Sequence, residues 1–135
     1  MKLMKAVLIV DDEEHTREDL EIEFVDSFQV YLASSVLEAR NFIKQVEIID
    51  YAIIDLKLDH TSEVGGIEIF NALKDNGSKA RIVIISGFPF DQIKEKLFKQ
   101  VKEQSYTLEL ESNYVYKGGP ENYIDAILNK LGIVQ

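Results

Sequence analysis

The chain has 135 residues, 46% of them hydrophobic, and carries 24 acidic against 15 basic side chains, for a formal net charge of -9. Such a composition suits a packed globule rather than a disordered tail, and so acidic a surface repels phosphate backbones, which argues against direct nucleic-acid binding. The absence of cysteine removes disulfides, thiolate zinc sites and cysteine nucleophiles together.

Near the N-terminus the apolar run Ala6–Val10 is too short for a signal-peptide core or a membrane span. A soluble, cytoplasmic protein with no membrane contact is therefore expected. No repeat, low-complexity tract or Pro/Gly/Ser linker divides the chain, and a single domain over residues 1–135 is expected. Five short apolar runs are read as strands: Ala6–Val10, Val30–Ala33, Ala52–Leu56, Ile82–Ser86 and Tyr114–Tyr116. Their near-continuous hydrophobicity fits strands buried on both faces. Between them lie segments of helical period. The first, His15 to Val25, is strongly acidic, with Leu20 and Phe24 facing in. Ser35 followed by Glu38 is a capping box that starts a helix with the stripe Val36, Ala39, Phe42, Ile43 and Val46. Ile67, Phe70 and Leu73 form a third stripe, stopped by Asn76-Gly77. Pro89 opens a fourth helix that buries Ile93, Leu97 and Val101. Between Gln104 and Asn113 the alternation of Tyr106, Leu108 and Leu110 with Thr107, Glu109 and Glu111 suggests a short, half-exposed extra strand, with a prolonged fourth helix as the competing reading. Pro120 opens the last helix, which buries Tyr123, Ile124, Ile127, Leu128 and Leu131 before Gly132 ends it. The whole predicts an α/β fold, a flavodoxin-like (βα)5 doubly wound sheet of five parallel strands in the order 2-1-3-4-5. In such a sheet ligands sit beyond the carboxyl ends of the strands.

On that scaffold the polar residues converge. Asp11 and Asp12 follow the first strand, while Asp55, Ser86 and Lys117 fall at the ends of the third, fourth and fifth. Two like charges about 4 Å apart cost roughly 4 kcal/mol at an effective dielectric near 20, so three carboxylates are not gathered for stability. An all-oxygen site with open positions suits Mg²⁺. Asp55 then becomes a carboxylate nucleophile, with the metal and Lys117 shielding an incoming phosphoryl group and the Ser86 hydroxyl donating to it. Taken singly, each feature has a plainer reading: the acidic pair could cap a helix, and Ser86 could be a turn residue. His15 and His60 stand in no metal-ligand spacing and are expected in solvent. The acidic run Glu13, Glu14, Glu18, Asp19, Glu21, Glu23 reads as a wet helix face or as a surface for a basic partner.

Val10-Asp11-Asp12-Glu13, Ile53-Ile54-Asp55-Leu56, Ile84-Ile85-Ser86-Gly87 and Val115-Tyr116-Lys117, in that order and each at a strand end, resemble the signature set of response-regulator receiver domains of two-component signalling, the chemotaxis regulators among them. The likeness runs over about residues 5 to 132. It implies that Asp55 is the phosphoacceptor, that Asp12 ligates Mg²⁺ directly and Asp11 mainly through water, and that the backbone carbonyl of Lys57 completes the metal's protein ligands. It further implies that Ser86 and Lys117 contact the phosphoryl group. Tyr114, three residues before Lys117, takes the place of the switch aromatic that turns inward and alters the face formed by the fourth helix, fifth strand and fifth helix; alone, it could equally be core. The implied partners are a histidine kinase or histidine phosphotransfer protein upstream and a downstream protein or fused output domain, and the Gln104–Asn113 segment could form a partner or dimer contact. The chain departs from the family pattern in three places. Gly118-Gly119 follow the lysine where proline is usual. Asp59 replaces a common proline in a long loop from Asp55 to Gly66, and the interval from Ser86 to Lys117 is long.

Two other function classes stand beside the switch, which is not itself an enzyme beyond catalysing its own phosphorylation and dephosphorylation. A phosphohydrolase of the haloacid dehalogenase type would need an acid two residues after the nucleophile, where this chain has Lys57. An atypical receiver-like interaction module would keep the docking face without being phosphorylated. A flavin or nucleotide binder is disfavoured because no Gly-rich loop follows the first strand.

Overall fold

The computed structural model describes residues 4–58 and 63–133. Along the chain run β1 (Ala6–Val10), α1 (Glu14–Phe24), β2 (Gln29–Ala33), α2 (Val36–Gln45), β3 (Tyr51–Asp55), α3 (Ile67–Asp75), β4 (Arg81–Ser86), α4 (Phe90–Gln100), a 3-10 turn (Gln104–Tyr106), α5 (Thr107–Ser112), β5 (Tyr114–Tyr116) and α6 (Tyr123–Leu131). The strands form one parallel sheet in the order β2-β1-β3-β4-β5, as the sequence leads one to expect.

The apolar strand runs have a direct cause in this architecture. Successive side chains leave a strand on opposite faces, and here both faces are dry. Leu8, Val10, Ala52, Ile54, Ile82 and Ile84 enter the layer beneath α2, α3, α4 and α5. Their neighbours Val7, Ile9, Ile53, Val83, Ile85 and Val115 enter the layer shared with Leu20 and Phe24 of α1 and Ile127, Leu128 and Leu131 of α6.

Helix boundaries follow local chemistry. Ser35 Oγ accepts from the Glu38 N–H at 3.2 Å, while Glu38 Oε1 reaches back to the N–H and hydroxyl of Ser34 rather than to Ser35. Gly77 and Gly132 take the left-handed conformation at φ 73° that stops α3 and α6. Pro120 does not open the last helix. Asn122 does so, its Oδ1 accepting from Ile124 and Asp125 N–H at 2.9 and 3.2 Å; the side-chain cap satisfies two otherwise orphan donors, which a proline cannot do.

The segment 104–113 is neither the extra strand nor a continuation of α4. Val101 is extended and breaks α4, and the chain restarts as the 3-10 turn and α5. Tyr106 and Leu110 are four residues apart, so a helix brings both toward α3, Tyr106 meeting Phe70 edge-on at 5.9 Å. Leu108 is left 73% exposed while Leu110 is 1% exposed, a difference that alternation on one strand face would not produce. Lys74 Nζ pairs with Glu109 Oε1 at 2.7 Å, and Thr107 Oγ1 donates to the Gln104 carbonyl at 2.9 Å. The helix also satisfies its own backbone, whereas a strand here would need a neighbour to pair with. Because α5 is inserted, the helix after β5 is α6, and the face expected of the fourth helix, fifth strand and fifth helix is made by α4, β5 and α6. No helix among the described residues is long and apolar enough to cross a membrane.

Candidate functional site

Parallel register decides which residues meet. Val10 lies beside Ile54 across β1 and β3, Asp55 beside Ile85 across β3 and β4, and Ser86 beside Tyr116 across β4 and β5. The next residue on β1 is therefore Asp11, abreast of Asp55, and the next on β5 is Lys117, whose N–H donates to the Ser86 carbonyl at 2.8 Å. Strand length alone sets Asp11, Asp55, Ser86 and Lys117 at one edge of the sheet.

There Asp11 is 0% and Asp55 6% exposed, and one carboxylate oxygen from each of Asp11, Asp12 and Asp55 lies within 4.8 Å of the others. Lys117 Nζ stands 3.6 Å from Asp11 Oδ2 and 3.7 Å from Asp55 Oδ1. Asp11 Oδ1 accepts the Glu13 N–H at 2.8 Å, but Asp11 Oδ2 is buried and receives no hydrogen bond. The Lys57 side chain is in solvent.

Burial above all, then the neighbouring Asp11 charge, pushes the Asp55 carboxyl up to about 7 against the opposing pull of Lys117. Burial likewise raises Asp11. Burial alone would pull the Lys117 ammonium down, but Asp55, Asp11 and Glu13 outweigh it and its pKa is raised. Burial and mutual repulsion thus disfavour the charged forms of Asp11 and Asp55. A hard divalent cation with oxygen ligands is the species that such a set fits, and the orphan Asp11 Oδ2 is a ready ligand atom.

Ser86 is buried, and its Oγ accepts the Phe88 N–H at 3.0 Å. Tyr114 is turned inward. Its hydroxyl donates to the Phe88 carbonyl and its ring meets Phe90 edge-on at 5.1 Å; burial pushes the phenol up despite the nearby Ser86 hydroxyl. Lys117 reaches the carboxylates with glycine following it. A Cβ on Gly118 would lie 2.5 Å from the Tyr116 hydroxyl oxygen, so the Tyr116 ring fills the space that a side chain at 118 would need. His15 is on the surface, 3.5 Å from Asp19; His60 and Asp59 lie outside the described residues.

Two contributors to the site went unread in the sequence. Gly66 caps α3 directly behind Asp55: its N–H donates to the Leu56 carbonyl at 2.6 Å, and a Cβ there would fall 2.2 Å from the Asp55 carbonyl oxygen. The Gly65-Gly66 pair opening an apolar helix was the available signal. Arg17 donates from Nη1 to the Asp11 carbonyl at 2.7 Å, a main-chain contact with no sequence signature.

The family model described as the response regulator receiver domain matches residues 7–105. Among solved structures, a response regulator from Burkholderia pseudomallei, solved with a phosphorylated aspartic acid, a calcium ion and citrate, is 22% identical, with TM-score 0.68 over 94% of this chain and 66% of that one. Receiver proteins from Methanospirillum hungatei and Sinorhizobium medicae are each 20% identical, with TM-scores of 0.64 and 0.68 over 96% of this chain and 95% of each of theirs. No curated protein matches the chain.

Proposed function

Since the chain belongs to the response regulator receiver domain family, whose members are phosphoryl-accepting signalling domains rather than classical enzymes and hold a divalent metal at an acidic cluster, we propose that Asp55 is its phosphoacceptor and Mg²⁺ its metal. The observation that carries this reading is the buried meeting of Asp11, Asp12 and Asp55 opposite Lys117. In the proposed reaction an ionised Asp55 oxygen attacks the phosphorus of a phosphohistidine on a histidine kinase or histidine phosphotransfer protein. The new O–P bond forms as the P–N bond breaks, and its electron pair stays on the imidazole nitrogen. Bound by Asp11, Asp12, Asp55 and the Lys57 carbonyl, the cation would neutralise the carboxylates and the phosphoryl oxygens. Lys117 offers its ammonium to the phosphoryl group, and Ser86 its hydroxyl proton. Ser86 and Tyr114 both contact Phe88, so a shift of Ser86 toward the phosphoryl group would be felt at Phe88 and at the head of α4. The α4–β5–α6 face would pass the change to a downstream protein or a fused output domain. The Burkholderia protein with its phosphorylated aspartate and calcium ion supports this chemistry by analogy.

The test is incubation with acetyl phosphate and Mg²⁺, followed by intact-mass measurement. One phosphoryl group should be gained by the parent, and none by Asp55→Asn or in the presence of a chelator. Labelling of Asp55→Asn equal to the parent would remove the assignment.

A further inference from the structure

The turn after β1 is held by a residue to which the phosphoryl reading gives no part. Arg17, in the first turn of α1, returns Nη1 to the Asp11 carbonyl at 2.7 Å. The other two handles on Asp11 are also taken: its N–H donates to the Ala33 carbonyl at 3.1 Å and its Oδ1 accepts the Glu13 N–H at 2.8 Å. Only Oδ2 remains, buried and without a donor, 3.6 Å from Lys117 Nζ.

Building on the reading of the acid cluster as a cation site, we infer that Arg17 is a positioning residue for it. Through the Asp11 carbonyl it fixes the turn so that Asp11 Oδ2 and Asp12 stay within ligand reach of Asp55. Groups that orient metal ligands act on affinity without touching the ion. The sign of the effect separates this role from a plain charge. A guanidinium acting only through its charge repels a cation, so its removal would tighten Mg²⁺ binding, whereas loss of a positioning contact weakens it.

The experiment is a Mg²⁺ titration of the full chain, followed by backbone amide shifts, for the parent, Arg17→Met, Arg17→Lys and Arg17→Gln, with thermal unfolding of each protein without metal. Arg17→Met should weaken Mg²⁺ on the order of tenfold, Arg17→Lys should restore most of the affinity by keeping a donor and the charge, and Arg17→Gln, whose shorter amide does not reach the Asp11 carbonyl, should weaken it as Arg17→Met does. A merely structural role would lower the melting temperature of Arg17→Met and leave the Mg²⁺ affinity of the folded protein unchanged; that result, or tighter binding, overturns the inference. Should Arg17→Met not fold, Arg17→Gln decides, and parent-like affinity there overturns it. A parent that shows no Mg²⁺ response would overturn the cation-site reading itself, a failure distinct from the first.

Discussion

Asp55 and Lys117 depend on each other for their ionisation. At 3.7 Å the ammonium is the counterweight to burial and to the Asp11 charge, and it draws the Asp55 carboxyl down from a still higher value. Replacing Lys117 by alanine should therefore move the Asp55 carboxyl above about 7, readable by carboxyl carbon-13 titration; a downward move would contradict the pairing. With Mg²⁺ bound to take over the charge that Lys117 supplies to Asp55, the same variant is expected to accept phosphoryl groups from acetyl phosphate while losing most of the shift response of α4, since under the proposed function Lys117 acts on the phosphoryl oxygens. Normal propagation to α4 would contradict that role. These residues were legible in the sequence because each closes an apolar run, and the parallel sheet turns strand ends into neighbours. Arg17 and the Phe88 carbonyl were not, since contacts made to or by main-chain atoms leave no residue type to read.

At the scale of elements, the sequence read well wherever packing and periodicity agreed. The alternate residues of β1, β3 and β4 serve two apolar layers, so their runs are unambiguous. Segment 104–113 misled because Tyr106, Leu108 and Leu110 fit a period of two as well as a short helix, and only packing against α3 separates them. The difference is measurable. Leu110→Ala should cost about 2 to 4 kcal/mol as a buried core truncation, while Leu108→Ala should stay within about 0.5 kcal/mol. Equal costs in urea unfolding would favour a strand that buries both. Gly66 makes a second element-level claim. Its substitution by alanine would drive a Cβ into the Asp55 carbonyl, so α3 must shift away from β3. A loss of stability of more than about 2 kcal/mol is expected, together with weaker Mg²⁺ binding, and an unperturbed Gly66→Ala protein would refute the close approach.

For the whole molecule, the acid cluster is a local cost carried by the two-layered core. Asp55 has an ordinary value of 3.8 and a folded value of about 7, so between those pH values the folded state binds more protons than the unfolded one. The contribution of Asp55 to stability is thus fully present below about pH 4 and is lost as pH rises through 7. Without divalent cation, Asp55→Asn should gain on the parent across that window, reaching about 4 kcal/mol as an upper bound given 1.36 kcal/mol per unit. Adding Mg²⁺ at pH 7.5 should stabilise the parent much more than the variant. A difference between the two proteins that is flat with pH would show that Asp55 is not strained in this way.

The most direct measurement of the central claim is to treat the parent with acetyl phosphate, trap the product with borohydride, which reduces an aspartyl phosphate to homoserine, and map the peptides by mass spectrometry. Homoserine should appear at position 55 only, and only when a divalent cation is present. Reduction at other acids, or none in a protein that binds Mg²⁺, would contradict the assignment of Asp55 as the phosphoryl acceptor.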